Sequence, residues 1–208
     1  MKKLKHIAIA GNIGAGKTTL TGLLAKQFKW TPQFESVDHN PYLSDFYDDM
    51  NRWSFHLQIY FLNHRLRQLL EVQSSNNTII QDRTIYEDAH IFAPNLHEMG
   101  LMSGRDFENY AAFFQTIKKM VKPPDLLIYV KASIPKLVEN IQKRGREYED
   151  NIRLDYLKRL NEHYNNWISR YKDGSLLIID IDNCNFAENS DDLASVIEKV
   201  NAEVNGLF

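Results

Sequence analysis

The chain has 208 residues, enough to bury a core without disulfides or a structural metal. Hydrophobic residues make up 43% and charged residues 25%, with only nine Gly and six Pro, which excludes a disordered or collagen-like chain. A net charge of −2 argues against binding nucleic acid by bulk electrostatics, and a single cysteine, Cys184, excludes a disulfide framework and a cysteine-based zinc site.

In chain order, the basic start (Lys2, Lys3, Lys5) leads into an apolar run at residues 7–10 that is too short for an export signal, and residues 6–10 read as a first strand. No later stretch approaches the roughly 18 apolar residues of a membrane helix, so a reduced, cytoplasmic protein is expected, with no membrane and no nucleic-acid polymer among its partners. After the strand, Gly11-Asn12-Ile13-Gly14-Ala15-Gly16-Lys17-Thr18 fits G-x-x-x-x-G-K-[ST], and Leu20, Leu23, Leu24 and Phe28 follow at helical spacing. The glycines let backbone N–H groups curl round phosphate oxygens at a helix N-terminus. Lys17 then reaches the outer phosphates, and the Thr18 hydroxyl is a ligand for Mg²⁺.

A second strand is expected at residues 33–37, with Glu35 near its carboxyl end, where open α/β sheets bind ligands. Glu35 is either a solvated strand-end acid or a general base for an attacking hydroxyl. The acids Asp45, Asp48 and Asp49 read as a solvated turn. Residues 53–72 carry a helical stripe (Leu57, Phe61, Leu62, Leu66, Leu69), and Gln58 and Arg65, seven apart, point within about 20° of each other. Spacing alone favours the stripe's margin for this pair over a cavity wall.

A third strand at residues 78–82 ends in Asp82-Arg83. A carboxylate there, beside the phosphate-loop strand, suits Mg²⁺, and Arg83 can bridge the acceptor oxygen and the moving phosphoryl group. Asp88 on the next helix is a natural partner for Arg65, with Phe92 four residues on sharing its face. Amide, guanidinium, carboxylate and ring together suit a flat heterocycle. Strands are expected at 126–130 and 176–181, and apolar periodicity at 107–121 and 154–171 marks core or dimer surface. The helix from about residue 134 ends in Lys143-Arg144-Gly145-Arg146, either an ordinary basic C-terminus with a glycine stop or a lid placing arginines over phosphates. The whole reads as one α/β domain, 1–208, with a parallel sheet flanked by helices. Without a guanine-specific Asn-Lys-x-Asp box or a transporter signature, a small-molecule kinase leads.

The pieces at residues 11–19, 34–37, 40–43 (Asn-Pro-Tyr-Leu), 53–58, 81–88 and 144–146 stand in the order and spacing of the P-loop deoxyribonucleoside kinases. The chain resembles that family, and within it the bacterial deoxyadenosine/deoxyguanosine kinases. The resemblance implies a five-stranded parallel sheet with a short arginine-bearing lid, ATP as donor with Mg²⁺, and a homodimer. It implies 5′-phosphorylation of a deoxyribonucleoside, with a purine expected and a pyrimidine, a broad-specificity or a nucleoside monophosphate kinase as alternatives. By resemblance Glu35 is the base, Asp82 joins Thr18 in the Mg²⁺ shell, and Arg83 holds the 5′-oxygen. Tyr47 and Glu149 match positions for the 3′-hydroxyl; Gln58, Arg65 and Asp88 match base readers, and Phe92 packs on the base. Residues Gly11 to Thr19, the lid arginines Arg144 and Arg146, and the loop holding Asn185 and Phe186 are expected around ATP. Ser36, Thr84 and Asn185 depart from the residues common in the family, and Asn140 stands one turn before Arg144.

Overall fold

The computed structural model describes residues 4–35, 40–146, 149 and 152–206. Five parallel strands lie in the order β2-β3-β1-β4-β5: β1 (His6–Gly11), β2 (Thr31–Gln33), β3 (Ile79–Asp82), β4 (Leu126–Lys131) and β5 (Ser175–Asp180). This is the α/β fold with a five-stranded parallel sheet flanked by helices that was expected. The runs of β1, β3 and all but the last residue of β4 are buried along their length, as strands covered on both faces must be. The edge strands are not: β2 is mostly exposed, and Ile178 of β5 is 47% exposed.

The second strand corrects the sequence reading of 33–37. It pairs with β3 on one side only, Thr31 opposite Ile79 and Gln33 opposite Gln81. Pro32 cannot donate to a ladder and is tolerated because this is an edge. Glu35 therefore stands two residues beyond the strand; residues 36–39 lie outside the described residues.

Side-chain alternation in the central strands feeds two cores. Ala8, Ala10, Leu127 and Tyr129 face α3 (Met50–Ser74), α6 (Gly104–Lys118) and α8 (Leu154–Ser169), which contribute Leu62, Leu69, Phe114 and Leu160. On the other face Ile7, Ile9, Ile80 and Ile128 meet α1 (Lys17–Phe28), α7 (Ile134–Arg144) and α9 (Ser190–Asn205), through Leu20, Leu24, Leu137 and Val196. The 25-residue α3 starts on α2 (Leu43–Asp48): Asp49 caps it, accepting from the Arg52 amide at 3.2 Å.

After β3 the chain forms α4 (Ile85–Glu87), a π-helical turn (Asp88–Phe92) and α5 (Ala93–Glu98). In the wide turn the Ala93 amide reaches five residues back to the Asp88 carbonyl. Pro94 follows in the first turn of α5, a position that tolerates its missing amide. Among the described residues no helix is long and apolar enough to cross a membrane.

Candidate active site

The carboxyl ends of β1 and β3 and the segment after β2 open onto one cavity of about 510 Å³. Its donor side is the phosphate loop. Gly14 takes φ +84°, and a Cβ there would stand 2.6 Å from the Leu137 carbonyl of α7, so only glycine lets this loop lie against that helix. The Asn140 amide of α7 donates to the Gly14 carbonyl at 2.8 Å. Phe186 covers Gly16 from above, 3.2 Å from where a Cβ would sit.

Ile13 to Thr19 line the cavity, together with Arg144, Arg146, Asn185 and Phe186. Gly11 and Asn12 do not; they brace the loop from behind. The Asn12 side chain donates to the Leu157 carbonyl at 3.1 Å and accepts the Ile13 amide at 2.8 Å, which ties the loop to α8. Lys17 is buried and donates to the Asn12 carbonyl at 3.0 Å. Burial first, then the positive charge of Arg83, brings its pKa down to about 8.

Asp82 sits at the end of β3, beside Ile9 of β1. Its Oδ2 accepts from the Thr18 hydroxyl at 2.6 Å, while Oδ1 is buried with no hydrogen-bond partner among the described residues. Such an orphan acceptor beside a hydroxyl suits a hard cation better than an apolar contact.

Glu35, Tyr47, Gln58, Arg83, Asp88, Phe92 and Glu149 also line the cavity. Arg83 adopts φ +67°, an uncommon value for a non-glycine residue, and its amide donates to the Ile9 carbonyl at 2.9 Å. Its guanidinium lies 4.4 Å from the Phe92 ring centroid and 3.6 Å from Glu35 Oε1. Burial pulls the Glu35 pKa upward, but Arg83, Arg65 and Lys17 overcome it and hold the carboxyl near 2. Asp88 goes the other way: burial outweighs Arg65 and Arg83 and raises it to about 7.

Arg65 and Gln58 correct the marginal placement suggested by spacing, since both are buried. Gln58 reaches the cavity, and its Oε1 has no hydrogen-bond partner among the described residues. Arg65 does not reach the wall. It lies one layer behind, donating to Glu35 Oε1 at 2.7 Å, to Asp88 Oδ2 at 3.4 Å and to the Asp82 carbonyl at 3.3 Å. Here it orients two carboxylates rather than facing the cavity.

The positive charge expected around the phosphates is present but already paired. Arg144 and Arg146 both bridge Glu149, and Lys143 bridges Glu188. Sequence reasoning missed Glu87, fully buried beneath the phosphate loop, and the wall residues Lys136 and Tyr156. Glu87 carried a signal, because Thr84-Ile85-Tyr86-Glu87 spells the S/T-x-x-E of a capping box. Lys136 and Tyr156 carried none, lying on helices whose approach to the site is tertiary.

A phosphate loop at the head of a parallel sheet, with a carboxylate at the adjacent strand end and a cavity of about 510 Å³ shared with them, defines a P-loop kinase of small molecules. The sequence profile of the family described as Deoxynucleoside kinase matches residues 7–205, and the chain belongs to that family. It is 36% identical to the deoxyadenosine/deoxycytidine kinase of Bacillus subtilis over 93% of this chain and 90% of that protein. It is 34% identical to the deoxyguanosine kinase of the same organism, over 96% and 98%. The deoxyadenosine kinase of M. mycoides, solved with bound dATP, superposes with a TM-score of 0.83 at 29% identity, covering 94% of this chain and 98% of that one. The chain is thus an enzyme that phosphorylates deoxynucleosides, with ATP as the donor its family implies.

Proposed function

We propose that this enzyme transfers the γ-phosphoryl group of ATP to the 5′-hydroxyl of a purine deoxyribonucleoside, deoxyadenosine first. The observation that carries this reading is the pairing of Glu35 and Arg83, 3.6 Å apart, in the wall of the same cavity that the phosphate loop lines. A carboxylate there serves an acceptor hydroxyl and repels an acceptor that already bears phosphate, which speaks against a monophosphate kinase. Asp88 and the orphan Oε1 of Gln58 are acceptors suited to the exocyclic amine of adenine. Cytosine presents an amine too, and one relative is named for both bases, so deoxycytidine is the second substrate we expect. Phe92 offers a ring for the base, and Tyr47 and Glu149 offer partners for the 3′-hydroxyl.

Glu35 stays ionised throughout the physiological range, a weak base by its pKa. That suffices where the hydroxyl proton leaves as the P–O bond forms, since phosphoryl transfer asks mainly for positioning and charge neutralisation. Arg83 and Lys17 supply positive charge at the acceptor and donor sides, and Arg144 and Arg146 supply it from the lid once phosphates compete with Glu149. The donor base takes the wall formed by Asn185 and Phe186. Thr18 and Asp82 fit Mg²⁺, with few protein ligands and hard oxygens. When bound, the ion neutralises phosphate charge.

We further infer a single domain working in the cytoplasm as a homodimer. The face for pairing is α3 with α6, where Leu70 and Phe113, and Met120 just after α6, are 48%, 47% and 65% exposed.

Two assays test the reading. With ATP and each of the four natural deoxynucleosides, deoxyadenosine is expected to show the highest kcat/KM; a best substrate of thymidine overturns the base assignment. Glu35→Gln should lose at least ~10² in kcat while still binding nucleoside; unchanged turnover removes Glu35 from the role of base.

A further inference from the structure

Glu87 is fully buried at the end of α4, with both carboxylate oxygens engaged. Oε1 accepts the Gly11 amide at 3.2 Å and the Tyr164 hydroxyl at 2.8 Å. Oε2 accepts the Thr84 amide at 2.7 Å. These donors come from three places: the first residue of the phosphate loop, helix α8, and the residue following Arg83. Gly11 is held in the sheet, paired with Val130 of β4 so closely that a Cβ there would stand 2.8 Å from the Val130 carbonyl. Arg83, at φ +67°, is held on its other side by its own amide on the Ile9 carbonyl. Tyr164 is anchored in turn by stacking on Tyr129, ring centroids 5.8 Å apart.

We propose that Glu87 is a positioning residue for phosphoryl transfer, whose carboxylate locks the left-handed turn bearing Arg83 to the start of the phosphate loop. A buried carboxylate is costly to keep, and Glu87 touches neither solvent nor the cavity. What it does is set the distance between the arginine of the acceptor side and the loop of the donor side. In-line transfer is sensitive to that distance, since a misplacement of about 1 Å costs on the order of 10²-fold in rate. Burial pushes the Glu87 pKa upward, and Arg83 and then Lys17, with the Thr84 amide and the Tyr164 hydroxyl, work against it in favour of the anion. The inference rests on the role proposed above for Arg83.

Glu87→Gln keeps the side chain's shape but turns an NH₂ toward a site where amides or a hydroxyl already donate. The folded variant, checked by circular dichroism, is expected to lose about 10- to 100-fold in kcat, with KM for the nucleoside within about threefold of the parent. A purely structural carboxylate would lower the melting temperature and leave kcat alone, so a folded Glu87→Gln with kcat within about twofold of the parent overturns the proposal. Should that variant fail to fold, Tyr164→Phe decides, as it removes one donor and keeps the stack. Its expected kcat is lower by about 3- to 10-fold at unchanged KM, and an unchanged kcat is again fatal. Arg83→Lys is run alongside. If Arg83→Lys retains turnover, the role of Arg83 fails and this inference with it; if Arg83→Lys is inactive while Glu87→Gln is not, only the inference fails.

Discussion

His6 stands in the core with its Nε2 donating to Gln81 Oε1 at 3.0 Å. The Gln81 amide donates to Gln68 Oε1 at 2.9 Å, and the Gln68 amide donates to the Phe34 carbonyl at 3.0 Å. This directional chain crosses from β1 through β3 to α3 and ends one residue before Glu35, where β2 has already stopped pairing. It leaves His6 neutral: burial lowers the pKa from 6.5 to about 4, with Gln81 and then Asp125 opposing. Between those values the unfolded chain holds a proton that the native chain does not. Stability is therefore present at neutral pH and declines as pH falls below about 6.5, by about 2 kcal/mol near pH 5. Urea unfolding of the parent and His6→Gln at about pH 7 and 5 measures this; the variant should lose less stability across that interval, and parallel losses exclude His6 as the cause.

At the scale of elements, the site depends on how closely the phosphate loop and α7 approach. Gly14→Ala meets both a positive φ and carbonyl and side-chain atoms of α7 within 3 Å, Leu137 O at 2.6 Å and Ile141 Cγ1 at 2.9 Å. The helix must retreat, taking Lys136, Asn140 and Arg144 with it. We expect KM for ATP to rise at least about tenfold, read by steady-state kinetics; an unchanged KM argues that α7 does not shape the donor site. The same substitution at Gly22, mid-α1 with nothing within 4 Å of an added Cβ, should stabilise by about 0.5–1 kcal/mol. The π turn is also an element-scale device. It spans Asp88 to Phe92, both of which line the cavity, so one local backbone feature places two wall residues at once.

For the molecule as a whole, the pairing face proposed on α3 and α6 leads to a test of assembly. The α3 and α6 ends are already tied by the Gln73 amide donating to the Met120 carbonyl at 3.2 Å, so the exposed apolar groups lie on a firm surface. Sedimentation velocity should find a dimer, and Phe113→Glu a monomer; a monomeric parent rejects the assignment. Much of this was legible in the chain itself. Strand–glycine loop–helix spacing announced phosphate binding, because few residue types permit amides to crowd round an anion. Unbroken apolar runs announced a parallel sheet, because strands covered on both faces admit little else, and Asp82-Arg83 followed at the strand end. Tertiary structure alone decided the rest. Arg65 is a buried brace between Glu35 and Asp88 instead of a marginal side chain, since seven-residue spacing gives direction on a helix but not what packs against it. The second strand is a short edge ending before Glu35, since pairing depends on the neighbour and not on apolar content. Arg144 and Arg146 rest on Glu149, and Glu87 joins segments 76 and 77 residues away, because charges and hydrogen bonds choose partners by distance in space, which no local pattern records.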